Sequence, residues 1–540
     1  MPISAAPGPD EGSKPEAAPT RFLITSLTIA LSVRLLFLIL APNNGTDAWA
    51  RYSIAQTWLQ NPNSLPSEVW LPLHFWLLGV TLWAWDSIWA VRLLTLFLGA
   101  LTVLPLWGIL RRAFDEPIAD QSSLLFALFG FHIGYSVTTS SEGPTIFFLA
   151  MGVYSWVRYG SEKRWTWLLP CGLFFSAASL FRFDAWTYIP CLGILLLDFS
   201  KGLSSAWSNR YAWKRSACFT LAASAGAIGW MVFSVVKWGD PLAAPHKTFL
   251  LNLHADIQQP LAYRMVVVPG ALLVSLSPWI FGLAVLGLAW CIGRGTRLAR
   301  SLAVTVLVVG GVHYYSAVAH KVTQARYTLM YSWLLIPFAF VALRFLAERW
   351  PSLRSDKTLR LTLGFFVLWQ GGLLAGAHFG PRAVADRLSV MVPTLPLPVE
   401  LRDLTEWLRQ HRKPGESVVV DQFHFDADDI VRSSKTPTSD VFRVARTGID
   451  EESLKDFFTK RRPKLLVYSP KGQLGKSWSL ENQEYISLPR FGLRLRRLWE
   501  GPTYRVYEIE YLPDESALSK RTSLSLARAD TLRSWARGSW

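Results

Sequence analysis

Charge is what this 540-residue sequence has least of: Asp, Glu, Lys and Arg make up only 17% of it, against roughly 25% in ordinary soluble chains. With 51% of residues in the AVILMFWYC set, disorder and collagen-like structure are excluded. Cysteine is scarce as well. Cys171, Cys191, Cys218 and Cys291 all sit in apolar segments, which argues against a disulfide framework or a cysteine zinc site. There is no internal repeat. Acid is short relative to base, with 39 Asp plus Glu against 55 Lys plus Arg and a formal net charge of +16. On a soluble chain that balance would suggest nucleic acid. Here the basic residues fall largely in short loops between long apolar runs, a membrane-orientation pattern that implies no nucleic-acid partner.

What is there is a series of apolar runs. Residues 1–20 are rich in Pro, Ala and Gly and read as a disordered leader. The run 22–41 is long enough to span a bilayer and is kept as an uncleaved anchor. Further spans are read near 89–110, 119–139, 144–160, 166–181, 185–199, 216–236, 268–292, 301–319, 328–346 and 361–378, about eleven in all. Alternate loops separate by charge. One set carries Arg111 and Arg112; Lys163 and Arg164; Arg210, Lys214 and Arg215; Arg294, Arg297 and Arg300; and Arg349, Arg354, Lys357 and Arg360. That set is cytoplasmic by the Lys/Arg bias. The other carries Asp47, Glu68, Asp86, Glu142, Asp184, Asp240 and Asp256 and faces outward. An odd number of spans then puts the chain after residue 380 outside.

The first outer loop, 42–88, is long and rich in tryptophan. From Asp47 it reads as a helix with Ala48, Tyr52, Ala55 and Leu59 on one face, lying with 69–85 along the membrane surface. The tail begins with an amphipathic helix at 398–411 and a Pro-Gly turn, followed by strands at 417–421, 464–468 and 504–509. Residues 513–540 are Ser/Arg-rich and read as disordered. The division is thus a leader 1–20, a transmembrane domain 21–380, an α/β domain 381–512 and a basic tail 513–540.

Two carboxylates stand out by position. Asp47 follows the first span, and Glu142 lies at the outer end of the third. In a compact bundle both reach the same depth, where one could take a proton from an acceptor hydroxyl and the other orient it or hold a divalent cation with it. The competing explanation for each is helix capping. Among outer basic groups, Arg182 and Arg326 sit at span ends, where a guanidinium can grip a phosphate, or simply snorkel to headgroups. Arg34 and Arg92 lie inside spans, so each must face the bundle and find a partner.

Taken in order, these segments resemble the GT-C glycosyltransferases, specifically the bacterial branch related to protein O-mannosyltransferases and aminoarabinose transferases (glycosyltransferase family 39). The resemblance is carried by Thr46-Asp47-Ala48-Trp49-Ala50-Arg51-Tyr52, Trp70-Leu71-Pro72-Leu73-His74-Phe75-Trp76, Ala90-Val91-Arg92-Leu93-Leu94, Ser141-Glu142-Gly143-Pro144, Phe181-Arg182-Phe183-Asp184, Gly239-Asp240-Pro241-Leu242 and Ala325-Arg326-Tyr327 with Pro337. The sequence departs from the pattern in offering one acid, Asp47, where many relatives carry two, and in lacking the Lys that aminoarabinose transferases place beside the proline.

The resemblance implies an α-helical polytopic membrane protein of GT-C type with about eleven transmembrane helices and a C-terminal extracytoplasmic α/β domain. It implies a sugar donor on a polyprenyl phosphate and a lipid, polysaccharide or protein acceptor. Transfer would occur with inversion on the outer face of a bacterial inner membrane. Asp47 is then the base, and Glu142 either orients the acceptor or shares a divalent cation (Mg or Mn) with Asp47. Arg182, Arg326, His246 and Lys247 receive the donor phosphate, and Arg51, Tyr52, Trp70, His74, Asp184 and Tyr327 line the pocket. The tail selects the acceptor. Two other classes compete: a transporter or lipid flippase, with charges at mid-membrane in repeated halves, and a non-catalytic scaffold, in which Asp47 and Glu142 would lie far apart.

Overall fold

A computed structural model of the chain describes residues 21–512 apart from 42, 44–46, 64–66, 68, 198–207, 249–259, 321, 351–355, 380–387, 389–390, 392–398, 422–429, 431–433, 435, 437–439, 445–450, 471, 473, 475–483 and 489–490. The leader 1–20 and tail 513–540 read as disordered lie outside the described residues. The chain divides into two compact units, Met1–Pro396 and Leu397–Trp540.

The first unit is helical. Its helices are α1 (Arg21–Leu40), α2 (Ala48–Gln60), α3 (Leu73–Ala84), α4 (Ile88–Leu101), α5 (Val103–Ala113), α6 (Glu116–Ala127), α7 (Gly130–Ser136), α8 (Glu142–Glu162), α9 (Leu168–Phe181) and α10 (Tyr188–Leu195). They continue with α11 (Arg210–Trp238), α12 (Leu261–Leu276), α13 (Pro278–Arg294), α14 (Arg297–His320), α15 (Leu329–Arg349) and α16 (Asp356–Phe379). Among the described residues, six stretches are long and apolar enough to cross a membrane: Arg21–Leu40, Ile88–Ala113, Arg210–Trp238, Arg297–His320, Ala325–Arg349 and Lys357–Ala377. The bent pair α12–α13 makes up to seven.

The spans expected at 119–139, 166–181 and 185–199 are present as shorter or interrupted helices, and α8 is buried along most of its length. These helices form the protein core of the unit with α15, around Phe126, Leu149, Phe175, Tyr188 and Trp333. Outward, Val236 and Phe379 are each 83% exposed and Leu368 75%. Apolar side chains so exposed, along helices of this length, belong in lipid. The chain is an integral membrane protein.

The span expected to run unbroken through 268–292 instead turns by 110° between α12 and α13. Pro278 has no N–H to continue the ladder and bars its predecessor from helical geometry. Ser277 accordingly takes an extended ψ of 149°, and its hydroxyl accepts the N–H of Ile280 at 3.3 Å to start α13. On α13, Gly287 lies so near α15 that a Cβ there would run into the Phe338 carbonyl, the small-residue contact that lets membrane helices approach closely.

The second unit holds a six-stranded sheet ordered β2-β1-β3-β6-β5-β4, from β1 (Val418–Asp421), β2 (Val441–Val444), β3 (Leu465–Tyr468), β4 (Tyr485–Leu488), β5 (Leu493–Glu500) and β6 (Arg505–Tyr511). β1 pairs in parallel with β2 and β3, whereas β6, β5 and β4 are added antiparallel. Alternation sorts the strands onto two cores. Val418, Val420, Leu465 and Val467 pack with Leu401, Leu404 and Leu408 of α17 (Val399–His411). Val419, Leu466 and Tyr468 pack with Leu454 and Phe458 of α18 (Glu451–Arg461).

Candidate active site

The two acids singled out in the sequence are held near one another by polar side chains that do not line the cavity. Arg92, inside α4, donates from Nε to the Val137 carbonyl at 2.8 Å and from Nη2 to the Ala41 carbonyl at 2.7 Å. It thereby staples the end of α1 to the loop before Glu142. Asn43 repeats the link one step further out. Its amide donates to Thr139 Oγ1 at 2.9 Å and its Oδ1 accepts the Thr139 N–H at 2.8 Å, while the Thr139 hydroxyl bonds the Ala48 carbonyl. Deeper in the bundle, Arg34 of α1 donates to the Ala127 carbonyl at 3.2 Å and to His132 Nδ1 at 2.8 Å. Both intramembrane arginines have the bundle-facing partners their position demands.

Neither acid caps its helix by side chain. Asp47 precedes α2 and Glu142 opens α8, with no side-chain cap bond from Asp47 or from Ser141 before Glu142. Their carboxylates go to arginines instead. Asp47 Oδ2 accepts from Arg326 Nη1 at 2.7 Å, and Glu142 Oε1 from Arg182 Nη1 at 2.7 Å. Arg182 Nε also donates to Asp184 Oδ2 at 2.7 Å, and Arg326 Nε lies 3.9 Å from Glu142 Oε1. An alternating chain results: Asp47, Arg326, Glu142, Arg182, Asp184. It ends on His313, whose Nε2 is 3.5 Å from Asp184 Oδ1.

Both arginines are placed by helix breaks. Arg182 is extended (φ −151°, ψ 144°) between α9 and the 3-10 turn Phe183–Thr187, and Arg326 lies in the 3-10 turn Ala325–Thr328 that opens α15. Buried charges at this density persist only when paired.

A cavity opens over this chain. Asp47, Arg182, Asp184 and Arg326 line it, with Tyr327, whose ring is faced by Arg182 at 5.3 Å and Arg326 at 5.7 Å. Arg51 and Trp70 line it as well, the Arg51 guanidinium lying 4.5 Å over the Trp70 ring. Burial alone would push the Asp47 carboxyl up, but Arg326 and then Arg51 pull it below the ordinary aspartate range. Asp184 behaves alike: burial raises it, Arg182 and then His313 lower it, and the net is downward. Burial pulls Arg51 down to about 10, against the upward pull of Asp47 and Glu142, so it stays charged at neutral pH.

Five expected site residues fall elsewhere. Glu142 is 1% exposed and sits behind the two arginines rather than on the cavity wall. Tyr52 packs under α2, its hydroxyl accepting from Gln56 at 3.0 Å. His74 is fully buried between Phe75 and Phe181. His246 pairs with Asp240 at 2.7 Å and Lys247 lies over Trp238, although Pro245 and Thr248 on either side line the cavity. The residue missed in the sequence is His313 of α14, on the wall and stacked on Tyr327 and Tyr331. Its signal was present: an ionisable group in the middle of an apolar span.

Asp47 and Glu142 are joined through Arg326, which stands where a shared divalent cation would have to sit. Among the described residues no cluster of three or more His, Cys, Asp or Glu could hold a metal ion. This donor set does not fit one.

A helical membrane unit whose acids and arginines gather at one end, followed by an α/β unit, is an architecture with solved counterparts. ArnT from Cupriavidus metallidurans, solved bound to undecaprenyl phosphate, is 14% identical with a TM-score of 0.58, over 91% of this chain and 98% of that one. Its apo state gives 14% and 0.59, over 90% and 97%. The Archaeoglobus fulgidus oligosaccharyltransferase tethered to an acceptor peptide gives 12% and 0.49, over 83% and 68%. Residues 66–230 match the sequence profile of the dolichyl-phosphate-mannose-protein mannosyltransferase family. Comparison with curated protein sequences gives no match. The chain thus shares its fold with ArnT, a likeness over nearly the whole of both chains, and its residues 66–230 carry the profile of a transferase family.

Proposed function

We propose that this chain transfers a sugar from a polyprenyl-phosphate-linked donor to an acceptor hydroxyl in a single inverting displacement, at the outer face of a bacterial inner membrane. About eleven membrane passes, with the N-terminus cytoplasmic and the α/β unit outside, complete the reading. The observation that carries it is Asp47: an ionised carboxylate on a cavity wall, in a cluster of three guanidiniums. In the step, the acceptor oxygen forms a bond to the anomeric carbon as the bond from that carbon to the phosphate oxygen breaks. The acceptor proton passes to Asp47. The polyprenyl phosphate leaves with the bonding pair, and the positive field of the cavity stabilises the charge it gains. Arg182 and Arg326 contribute to that field, with His246 and Lys247 beside the rim. Asp184 and Tyr327 set their orientation. Glu142, behind the wall, acts through the arginines as a positioning residue.

Pairing with Arg326 keeps Asp47 ionised and thus able to accept a proton, at the cost of basicity. That suits a displacement in which the anomeric carbon is already electron-poor when the proton moves. The test is release of polyprenyl phosphate by the purified protein in nanodiscs, given a panel of polyprenyl-phosphate sugars and a membrane extract as acceptor source. Wild-type release that needs the extract and vanishes in Asp47→Asn, with donor binding retained, is the expected result. Near-normal turnover in that variant would remove Asp47 as the base. Flippase activity in sealed vesicles without any release would restore the transport reading.

A further inference from the structure

A helix broken inside a membrane leaves backbone groups that no water can satisfy. At two breaks in this bundle the missing partners come from one span. Between α12 and α13, Pro278 offers no N–H to the Val274 carbonyl, and the 110° turn carries the Trp279 N–H away from the Ser275 carbonyl. Between α6 and α7, the Phe129 N–H takes the Phe126 carbonyl at 3.1 Å, the acceptor that Gly130 would use in a continuous helix. Trp369 of α16 donates from Nε1 to the Val274 carbonyl at 2.7 Å, and Gln370 donates from Nε2 to the Ser275 carbonyl at 2.7 Å. The Gln370 Oε1 accepts the Gly130 N–H at 3.2 Å. One amide thus spends its donor on one break and its acceptor on the other, and a flipped amide would fail at both. Residues 361–377 of α16 carry no charge, and a polar group in such a span needs partners of this kind.

We propose that Gln370 is a positioning residue for the reaction: it ties the segment behind Arg326 to the segment behind Glu142 and so keeps the alternating charge chain aligned. On one side, α12 packs on the 3-10 turn Ala325–Thr328 that carries Arg326. On the other, α7 is buried at every residue and runs straight into 137–139, the stretch that Arg92, Thr95 and Asn43 bind just before Glu142. Arg326 lies 2.7 Å from Asp47 and 3.9 Å from Glu142, contacts that last only while the two segments keep their spacing. The link is tight, since a Cβ on Gly130 would come within 2.6 Å of Gln370 Oε1. An indole has a single donor, so Trp369 serves α12 alone. The effect on turnover rests on the glycosyl-transfer reading above, whereas the tie between the two breaks rests on geometry.

The experiment takes the full chain in nanodiscs and measures two things: polyprenyl-phosphate release as above, and hydrogen–deuterium exchange of residues 137–142 and 322–328, which needs no turnover. Gln370→Leu keeps the bulk and removes both bonds. It is expected to speed exchange in both segments and to lower kcat about 10- to 100-fold, with little change in donor KM. Gln370→Glu, when protonated, offers one O–H donor and one acceptor to the same two groups. Relative to wild type it should regain most of the loss at low pH and lose it again as the carboxyl ionises, a slope that a residue merely filling space would not produce. Trp369→Phe should leave exchange at 137–142 unchanged. Gly130→Ala displaces the amide from the other side, so adding it to Gln370→Leu should do no more than the worse single change. Should Gln370→Leu fail to fold, judged by elution and melting, Gly130→Ala and the glutamate variant decide the point. Either readout unchanged in Gln370→Leu, or in Gly130→Ala where that variant decides, overturns the assignment, as does a glutamate variant whose activity relative to wild type ignores pH and matches leucine. Wild type that releases nothing while Gln370→Leu exchanges faster removes the transfer reading and leaves the tie standing.

Discussion

At the scale of single residues the site is a problem in burying charge. Asp47, Glu142 and Asp184 are each satisfied by Arg182 or Arg326, and removing one member of such a buried pair typically costs about 3–5 kcal/mol because its partner is left uncompensated. Glu142→Gln should therefore lower the thermal midpoint as well as kcat, with little change in donor KM. Unchanged melting would mean that the arginines hold their places without Glu142. The pH dependence follows from Asp47. Its folded value lies below the ordinary one, so the pairing with Arg326 stabilises the fold fully above the unfolded value of about 3.9 and is lost only as pH falls through the lower folded value. The kcat profile should accordingly stay flat on its acid side down to about pH 4. An acid limb centred between about pH 5 and 7 would assign the base to another group.

Helices and loops set how far those charges can stray. Arg92 and Asn43 tie the segment that enters α2 to the loop that enters α8, so the acids move as one body. The kink at Ser277–Pro278 lets α13 lie along α15 by way of Gly287. Gly287→Val would place branched carbons against the Phe338 carbonyl and force the two helices apart. The expected outcome is a lower melting temperature and a reduced yield of monodisperse protein, measured against Gly293→Val, where a Cβ meets nothing within 4 Å. Equal behaviour of the two variants would show that the helices separate without penalty.

For the whole molecule, the side each loop occupies is the quantity to check. Arg111 pairs with Glu116, and Arg112 with Glu162 next to Lys163, so the basic loops gather together while Asp47, Glu142 and Asp184 join in the other cluster. Cysteine introduced at Asp86 or Asp240 should react with an impermeant maleimide added to intact cells, and cysteine at Lys163 or Arg297 only after lysis. Labelling of Lys163→Cys in intact cells would invert the topology and place the site on the cytoplasmic side. The transport reading, which expects charges at mid-membrane in repeated halves, has little to build on. Acids and arginines meet at helix ends and breaks, and the profile match is to a transferase family.

Much of this was legible from residue type alone. An arginine or carboxylate in or beside an apolar run is too costly to be accidental, which is why Asp47, Glu142, Arg34, Arg92, Arg182 and Arg326 could be picked out before any fold was known. Short apolar runs likewise marked β1, β3 and β6, while β5, with arginine at 494, 496 and 497, hid its single buried face behind charge. Partnership was not legible. That Arg326 rather than a cation lies between the acids, that Glu142 stands behind the wall and that His313 closes the chain all depend on which helix packs beside which. Cost of burial is a property of one residue in one segment, and the sequence states it. Satisfaction is a property of neighbours as much as 279 positions apart, as with Asp47 and Arg326, and only tertiary packing supplies those.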